Sequence, residues 1–485
     1  MYPIIIFSIS IFIASLVLII FKNKNIVMFN KFLKVITFVF CAVGVLRYFL
    51  SDSFVYVIKG GVLNGVFYNK TDVLQTILRW GYYLNYAVLP MAIFFDSRLF
   101  KNIASYICLP FTILSAVFFN DYMAYFLSPE GKGFHLVEWF RYSYFILELV
   151  LAIVIPILMQ IRHKHYFNVK DKKEWFNFLI ALPFIFFIMI PAYVPQSLIG
   201  YSSMLAELGS NFHIGWTICS VILTIALYYI FRFTSMRTRN MLCVFLTIVL
   251  FYHYNSIFLM GVTLPRLPIQ LCNLAAYIYM IAIPLKRQKL FQFAFVVNIT
   301  GAIVAFVAAD FSGGALGFWN MHFIFEHTLV LMVPALAMGL RVFPRINAKA
   351  IKYSVIGFTI YFVFCFIIGT ILNGYSDITD TKVNYFFMFD LNKAFSYFPI
   401  ISFSQNVHIE FGRFEVYPIL ILIIYVAFTL LYLLFYFAVK YLYKYEDDHI
   451  ELRKSAIDLY ERRTNKKLKI QRDFEENEKI GDKKC

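Results

Sequence analysis

Charge is what this chain has least of: Asp, Glu, Lys and Arg together make up 15% of its 485 residues, while 61% are hydrophobic. That little charge cannot keep a chain of this length dispersed in water, so a soluble fold is excluded. Tryptophan is scarce too, with 5 residues against 57 phenylalanines and 34 tyrosines; the imbalance reads as AT-rich coding bias rather than as an aromatic binding surface. The 7 cysteines (Cys41, Cys108, Cys219, Cys243, Cys272, Cys365 and Cys485) form no CxxC pair and no zinc-like spacing, so neither a disulfide framework nor a metal site is expected. No glycine-rich phosphate loop is present, which removes an ATP-driven engine. No cofactor and no nucleic-acid partner is expected.

What the chain does contain is apolar runs long enough to cross about 30 Å of hydrocarbon. Thirteen candidate spans fall at 3–21, 32–50, 78–95, 99–119, 139–161, 175–194, 213–231, 241–261, 268–284, 288–309, 319–339, 353–373 and 416–443. The expected fold class is therefore all-α, a polytopic membrane protein. Lysine and arginine cluster in alternate loops: Lys22, Lys24 and Lys31; Arg98 and Lys101; Arg162, Lys164, Lys170, Lys172 and Lys173; Arg232, Arg237 and Arg239; Lys286, Arg287 and Lys289; Arg341, Arg345 and Lys349. By the positive-inside rule these loops face the cytoplasm, which puts the N-terminus outside and the C-terminus inside a cell membrane. The first span lacks a basic region before it and a small-residue cleavage site after it, so it reads as retained.

Residues 444–485 hold 12 basic and 11 acidic residues, so the formal +16 of the chain sits almost entirely on the membrane domain, whose cytoplasmic loops should favour anionic headgroups. The tail itself reads as a solvated charged segment, partly an amphipathic helix, with a cytoplasmic binding partner as the alternative.

An ungapped comparison of Tyr144–Leu158 with His322–Leu336 gives six identities in fifteen, including Glu148 with Glu326 and Pro156 with Pro334. The flanking layout repeats as well: Arg79 and Arg266 precede the third and ninth spans, and Asp121 and Asp310 follow the fourth and tenth. The chain is expected to be two parallel six-helix halves plus an extra span. The divisions are 1–200, 201–375 with the site, an extracytoplasmic loop 376–415, the thirteenth span 416–443 and the tail 444–485. One half then serves as a control for the other. Glu326 and Pro334, kept in both copies, are explained by architecture, as an interhelical polar group and a kink. Cys272, His322 and His327 are confined to one copy, where the other has Asn85, Tyr144 and Leu149.

Two polar segments interrupt apolar helices, and membranes penalise such groups unless they find partners. The first is Leu264-Pro265-Arg266-Leu267-Pro268-Ile269-Gln270-Leu271-Cys272-Asn273; the second is Trp319-Asn320-Met321-His322-Phe323-Ile324-Phe325-Glu326-His327. At 1.5 Å per residue, Cys272 and His322 lie roughly 5 Å and His327 roughly 12 Å below the outer boundary, with Asp310 at the same face and His253 and Asn255 approaching it. Arg266, Gln270 and Asn273 share one helical face, with Cys272 about 100° round from Asn273. The bland reading of each is plain: a lone membrane cysteine usually packs, His322 is near enough to the interface to be solvated, and Asp310 can cap a loop. The loop Phe311–Gly317 reads as a tight turn, or as a cover over the site.

These residues resemble a signature of the bacterial YwaF-like integral membrane proteins and their eukaryotic relatives, the transmembrane-protein-164 family. The match runs from Leu267-Pro268-Ile269-Gln270-Leu271-Cys272 through Ala309-Asp310 to the helix with His327, with Asn384-Tyr385 as a further element, and covers about 205–443. The resemblance implies a membrane-embedded acyl enzyme: the eukaryotic branch is similar to a phospholipid acyltransferase working through an acylated cysteine and a histidine, and to androgen-induced-protein-type lipid hydrolases. The matching positions are Cys272 and His327. Gln270 departs from the pattern, since bacterial members commonly carry a histidine there and an amide cannot transfer a proton in that way.

Three functions are weighed. The first is a phospholipid acyltransferase or lipid acyl hydrolase acting on membrane phospholipid or another acyl lipid. Cys272 is its nucleophile and His327 its base, while Gln270, Asn273, Arg266, Asp310, His322 and Glu326 support or bind. The second is a secondary transporter with a Glu148, Glu326 and His327 proton relay. The third is a scaffold that uses its charged tail.

Overall fold

The computed structural model describes residues 1–49, 73–124, 138–163, 167–200, 204–260, 267–309, 311, 313–374, 383–389, 399–411 and 414–451. Arg266 and Asp310, both expected near the site, lie outside the described residues, as do 452–485 of the tail.

The protein is an all-α polytopic membrane protein, and each expected span contains a helix. In chain order these are α1 (Tyr2–Ile20), α2 (Ile26–Phe49), α3 (Val73–Phe94) and α4 (Arg98–Val117, with one π-helical turn at Ala104–Cys108), then α5 (Glu138–His163) and α6 (Lys172–Ile188). They continue with α7 (Asn211–Phe231), α8 (Met236–Asn255), α9 (Leu271–Ala282), α10 (Gln288–Val307), α11 (Phe318–Gly339), α12 (Ala348–Gly374) and α13 (Pro418–Glu451). Among the described residues, nine of these are long and apolar enough to cross a membrane: α1, α2, α4, α5, α7 and α10–α13. The other four fall short for visible reasons. Helix α9 has only 12 residues, about 18 Å at helical rise, and α6 has 17. Helices α3 and α8 are long enough but carry Gln75, Arg79 and Asn85, and Arg237, Arg239 and His253.

Local chemistry sets the helix starts. Asp171 accepts from the N–H groups of Lys173 and Glu174 to open α6, and Ser210 and Ser235 cap α7 and α8 through the amides of His213 and Thr238. Pro156 and Pro334 lie inside α5 and α11 at matching places.

Helix neighbours repeat. The pairings α1–α5, α2–α3, α2–α5, α3–α4, α3–α5, α4–α5 and α4–α6 recur, six helices later, as α7–α11, α8–α9, α8–α11, α9–α10, α9–α11, α10–α11 and α10–α12. The two sets meet where α3 packs on α8, and a tyrosine cluster fills the seam, with Tyr252 against Tyr48, Tyr83 and Tyr86. Helix α13 lies on α10 and α12.

Two regions depart from the sequence reading. Within the stretch expected to be an extracytoplasmic loop, residues 383–389 pack into the bundle: Val383, Tyr385 and Met388 are fully buried, and the Phe386 ring meets Phe358, Phe362 and Phe428. Asn373 pins this segment by bonding both the carbonyl (3.1 Å) and the amide (2.8 Å) of Val383. Further on, Ile409–Phe411 and Phe414–Val416 form a small antiparallel ribbon. The tail also does not begin as a separate unit at 444, because α13 continues to Glu451. Its first charges are neutralised there, with Arg345 bonding Glu446 (2.8 Å) and Asp447 (3.1 Å) and Arg341 bonding Asp447 (2.8 Å).

Candidate active site

Cys272 is the second residue of α9, whose N-cap is Gln270. Four contacts hold this helix start. The Ile269 carbonyl accepts from the Tyr361 hydroxyl and the Cys365 thiol (3.4 Å), both on α12. The Leu271 carbonyl receives Asn298 Nδ2 of α10 at 3.5 Å, and Asn273 Nδ2 reaches the Leu267 carbonyl at 3.4 Å. Asn273 is also bonded to Tyr254 of α8. The half-buried Cys272 thiol faces α10 at Gly301, where a Cβ would stand 3.6 Å from its sulfur and 2.8 Å from Leu271 Cδ2. A side chain there would displace the end of Leu271 and fill the space beside the sulfur.

Gln270 makes no side-chain cap, so the amides of Leu271, Cys272 and Asn273 have no partner among the described residues. The first helical bond is Leu274 N–H to the Gln270 carbonyl at 2.9 Å. A thiol on an open first helical turn sits in the positive field of the helix end, beside three unused N–H donors.

The α11 residues divide by face. His322 and Glu326, one turn apart, are both buried, with Nε2 and Oε2 separated by 3.4 Å. His327 lies about 100° round from Glu326. Its ring packs on Phe323, centroids 4.1 Å apart, and Nδ1 donates to the Phe323 carbonyl at 2.7 Å. A carbonyl only accepts, so neutral His327 carries its proton on Nδ1 and offers Nε2 as the acceptor. Glu326 is close enough to Cys272, Tyr254 and His327 for charge interaction with each. Cys272 itself makes no hydrogen bond to either histidine. The structure thus gathers Asn273, His322 and Glu326 around Tyr254, with Cys272 within electrostatic reach of Glu326, His327 on the adjoining face of α11, and Gln270 exposed. His253 serves to join the halves, donating from Nε2 to the Ile188 carbonyl at 2.9 Å. It borders a cavity of about 10 Å³, one water in size, with Tyr83, Tyr252 and Ser256.

The first half gives the comparison. Glu148 is saturated: it pairs with Arg47 and accepts from the hydroxyls of Tyr86 and Tyr122 (3.0 Å), while the Arg47 guanidinium lies 3.6 Å above the Tyr82 ring. Asn85, at the Cys272 position, bonds Thr112 at 2.8 Å and the Gly81 carbonyl at 3.2 Å. Glu326 has no such cation among the described residues, and its Oε1 and the Nδ1 of His322 are both buried without a partner. The matching glutamates therefore do not share one structural role, contrary to the expectation from the repeat. The reason is that, among the described residues, no cation stands against Glu326 as Arg47 stands against Glu148.

Sequence reasoning missed Tyr254, Asn298, Gly301 and Tyr361. Only Gly301, a lone glycine inside an apolar helix, carried a signal of close backbone approach. Within the Phe311–Gly317 loop, residues 313–315 pair with 204–206: Ala206 N–H bonds the Gly313 carbonyl at 3.0 Å, Ala315 N–H bonds the Met204 carbonyl at 2.8 Å, and Gly313 takes φ +68.

Cys272, His322, Glu326 and His327 all fall within one region that matches a family model. Residues 208–438 match the TMEM164 family. The match runs from just before α7 into α13, so the second set of helices carries it and α1–α6 lie outside it. No curated protein and no solved structure matches the chain.

Proposed function

We propose that the TMEM164-like half is a membrane-embedded acyl-transfer site in which Cys272 attacks the ester of a phospholipid or other acyl lipid and holds the acyl group as a thioester. The observation that carries this reading is the place of Cys272 on the open first turn of α9, with the amides of Leu271, Cys272 and Asn273 free. The free amides are suited to receive the oxyanion that develops when sulfur adds to a carbonyl. His327, with Nε2 kept as the acceptor, is the base that removes the thiol proton and returns it to the departing alkoxide. The thioester is then resolved by a second alcohol, giving acyl transfer, or by water, giving hydrolysis.

The transporter reading gains no comparable support. Its relay needs Glu148 free to bind and release protons, whereas Arg47 and two tyrosine hydroxyls already occupy that carboxylate.

The test is a pulse of acyl-labelled phospholipid vesicles with purified protein. Wild type should acquire hydroxylamine-sensitive label on Cys272. Cys272→Ser should lose the label or hold a stable oxygen ester, and His327→Ala should label at least a hundredfold more slowly, the lower range for losing a general base. Equal lipid turnover in wild type and Cys272→Ser would refute the acyl-cysteine mechanism.

A further inference from the structure

We infer that His322 and Glu326 form the acceptor subsite: they bind the hydroxyl of the incoming acyl acceptor and take its proton when the thioester is resolved. This rests on the acyl-cysteine reading and divides it into two stages, with His327 serving acylation and the His322–Glu326 pair serving transfer.

The inference starts from hydrogen-bond valence. His322 Nε2 lies 3.4 Å from Glu326 Oε2, so each side chain turns one polar atom to the other and keeps a second, Nδ1 and Oε1, for a further partner. Nδ1 of His322 and Oε1 of Glu326 are both buried and both unpartnered, on side chains 9% and 4% exposed. Two unpartnered buried polar atoms on one pair, one of them a carboxylate oxygen that needs a donor, call for a group that can donate. A hydroxyl supplies that donor. An ester donor substrate has only acceptor oxygens at its reacting end and cannot, so the pair selects acceptor over donor.

The repeat shows that this opening is not required by the helix packing. At the equivalent positions of the first half, Glu148 is saturated by Arg47, Tyr86 and Tyr122, and Tyr144 stands in the place of His322 with its hydroxyl on the Val43 carbonyl. Among the described residues the second half leaves its carboxylate open, with Cys272 within its electrostatic reach.

The step balances without a co-reactant. The acceptor oxygen forms a bond to the thioester carbonyl carbon as its proton passes to His322 Nδ1. The carbon–sulfur bond breaks with its electron pair on Cys272, and the imidazolium returns the proton to the thiolate. Glu326, 3.4 Å away, stabilises the imidazolium between the two transfers.

The experiment separates the stages. Protein in lipid nanodiscs is labelled from phosphatidylcholine with alkyne-tagged acyl chains, then chased with lysophosphatidylcholine or with buffer alone. In His322→Asn, label should form on Cys272 at the wild-type rate and be released to the lysolipid at least tenfold more slowly. His327→Ala should fail at label formation instead. Glu326→Gln should also slow the chase and shift its pH profile, with partial rescue in Glu326→Asp. His322→Tyr, which copies the residue of the first half, covers failure of the Asn variant to fold. A chase in both His322 variants as fast as wild type, with label forming normally, would overturn the acceptor subsite and leave the acyl-cysteine reading standing. Absence of label in wild type would overturn both.

Discussion

The two halves carry the same buried glutamate in different electrostatic settings, and neutralising each should give opposite stability outcomes. In Glu148→Gln the Arg47 guanidinium, with its side chain 1% exposed, loses its counter-charge in a low-dielectric interior. Removing one partner of a buried ion pair typically costs about 3–5 kcal/mol, because the remaining charge is left uncompensated. Cation–π contact with Tyr82 at 3.6 Å and the 2.6 Å bond from Arg47 to Tyr122 offset only part of that. In Glu326→Gln the lost contact is a single 3.4 Å approach from His322, and a poorly compensated charge disappears with it, so the change should lie within about 1 kcal/mol of zero. The assay is reversible unfolding of both variants in mixed micelles, extended by Arg47→Met and by Arg47→Met with Glu148→Leu. The double variant should recover most of the loss of either single one, giving a coupling energy of roughly 2–4 kcal/mol. Equal destabilisation by Glu148→Gln and Glu326→Gln would refute the reasoning, since it would return both carboxylates to one shared structural role.

Three further outcomes are expected. Gly301→Val should press on Leu271 and crowd the Cys272 sulfur, cutting thiol alkylation of Cys272 severalfold while Cys219, exposed on α7, reacts as before; unchanged Cys272 reactivity in a mass-resolved alkylation assay would count against the α9–α10 contact. Tyr361→Phe should leave the Ile269 carbonyl only its weaker Cys365 thiol contact, cost about 1 kcal/mol and raise amide exchange at Leu271–Asn273, which hydrogen exchange reads directly. Burial disfavours ionisation of Glu174, but hydrogen bonds from Arg98, Asn102 and the Asn168 amide outweigh it and hold the carboxyl below the usual glutamate value. A folded-state value below the unfolded one means that the contribution is present above about pH 4.3 and lost as pH falls through the folded value; Glu174→Gln should flatten acid destabilisation in that window.

Periodicity and composition determined the helices of this protein. Membrane helices must satisfy their backbone internally, so apolar length alone marks them, and all thirteen expected segments are helical. The ungapped match around Glu148 and Glu326 likewise foretold that helix neighbours repeat, because a shared ancestor keeps its packing partners. Cys272 and the α11 histidines stood out because a bilayer makes polar residues costly. Only the tertiary structure decided how these groups are used. Helix α9 is shorter than its apolar run, because residues 267–270 form a turn tied to α12 through Ile269, and no local propensity encodes that tie. The burial of 383–389 depends on Asn373, ten residues from its partner, and on rings from α12 and α13. The difference between the two glutamates arises from Arg47, about a hundred residues from Glu148 and paired with it only once α2 and α5 pack together. Identical residues at matched positions look alike in sequence; a long-range partner in one copy and its absence in the other set their chemistry apart.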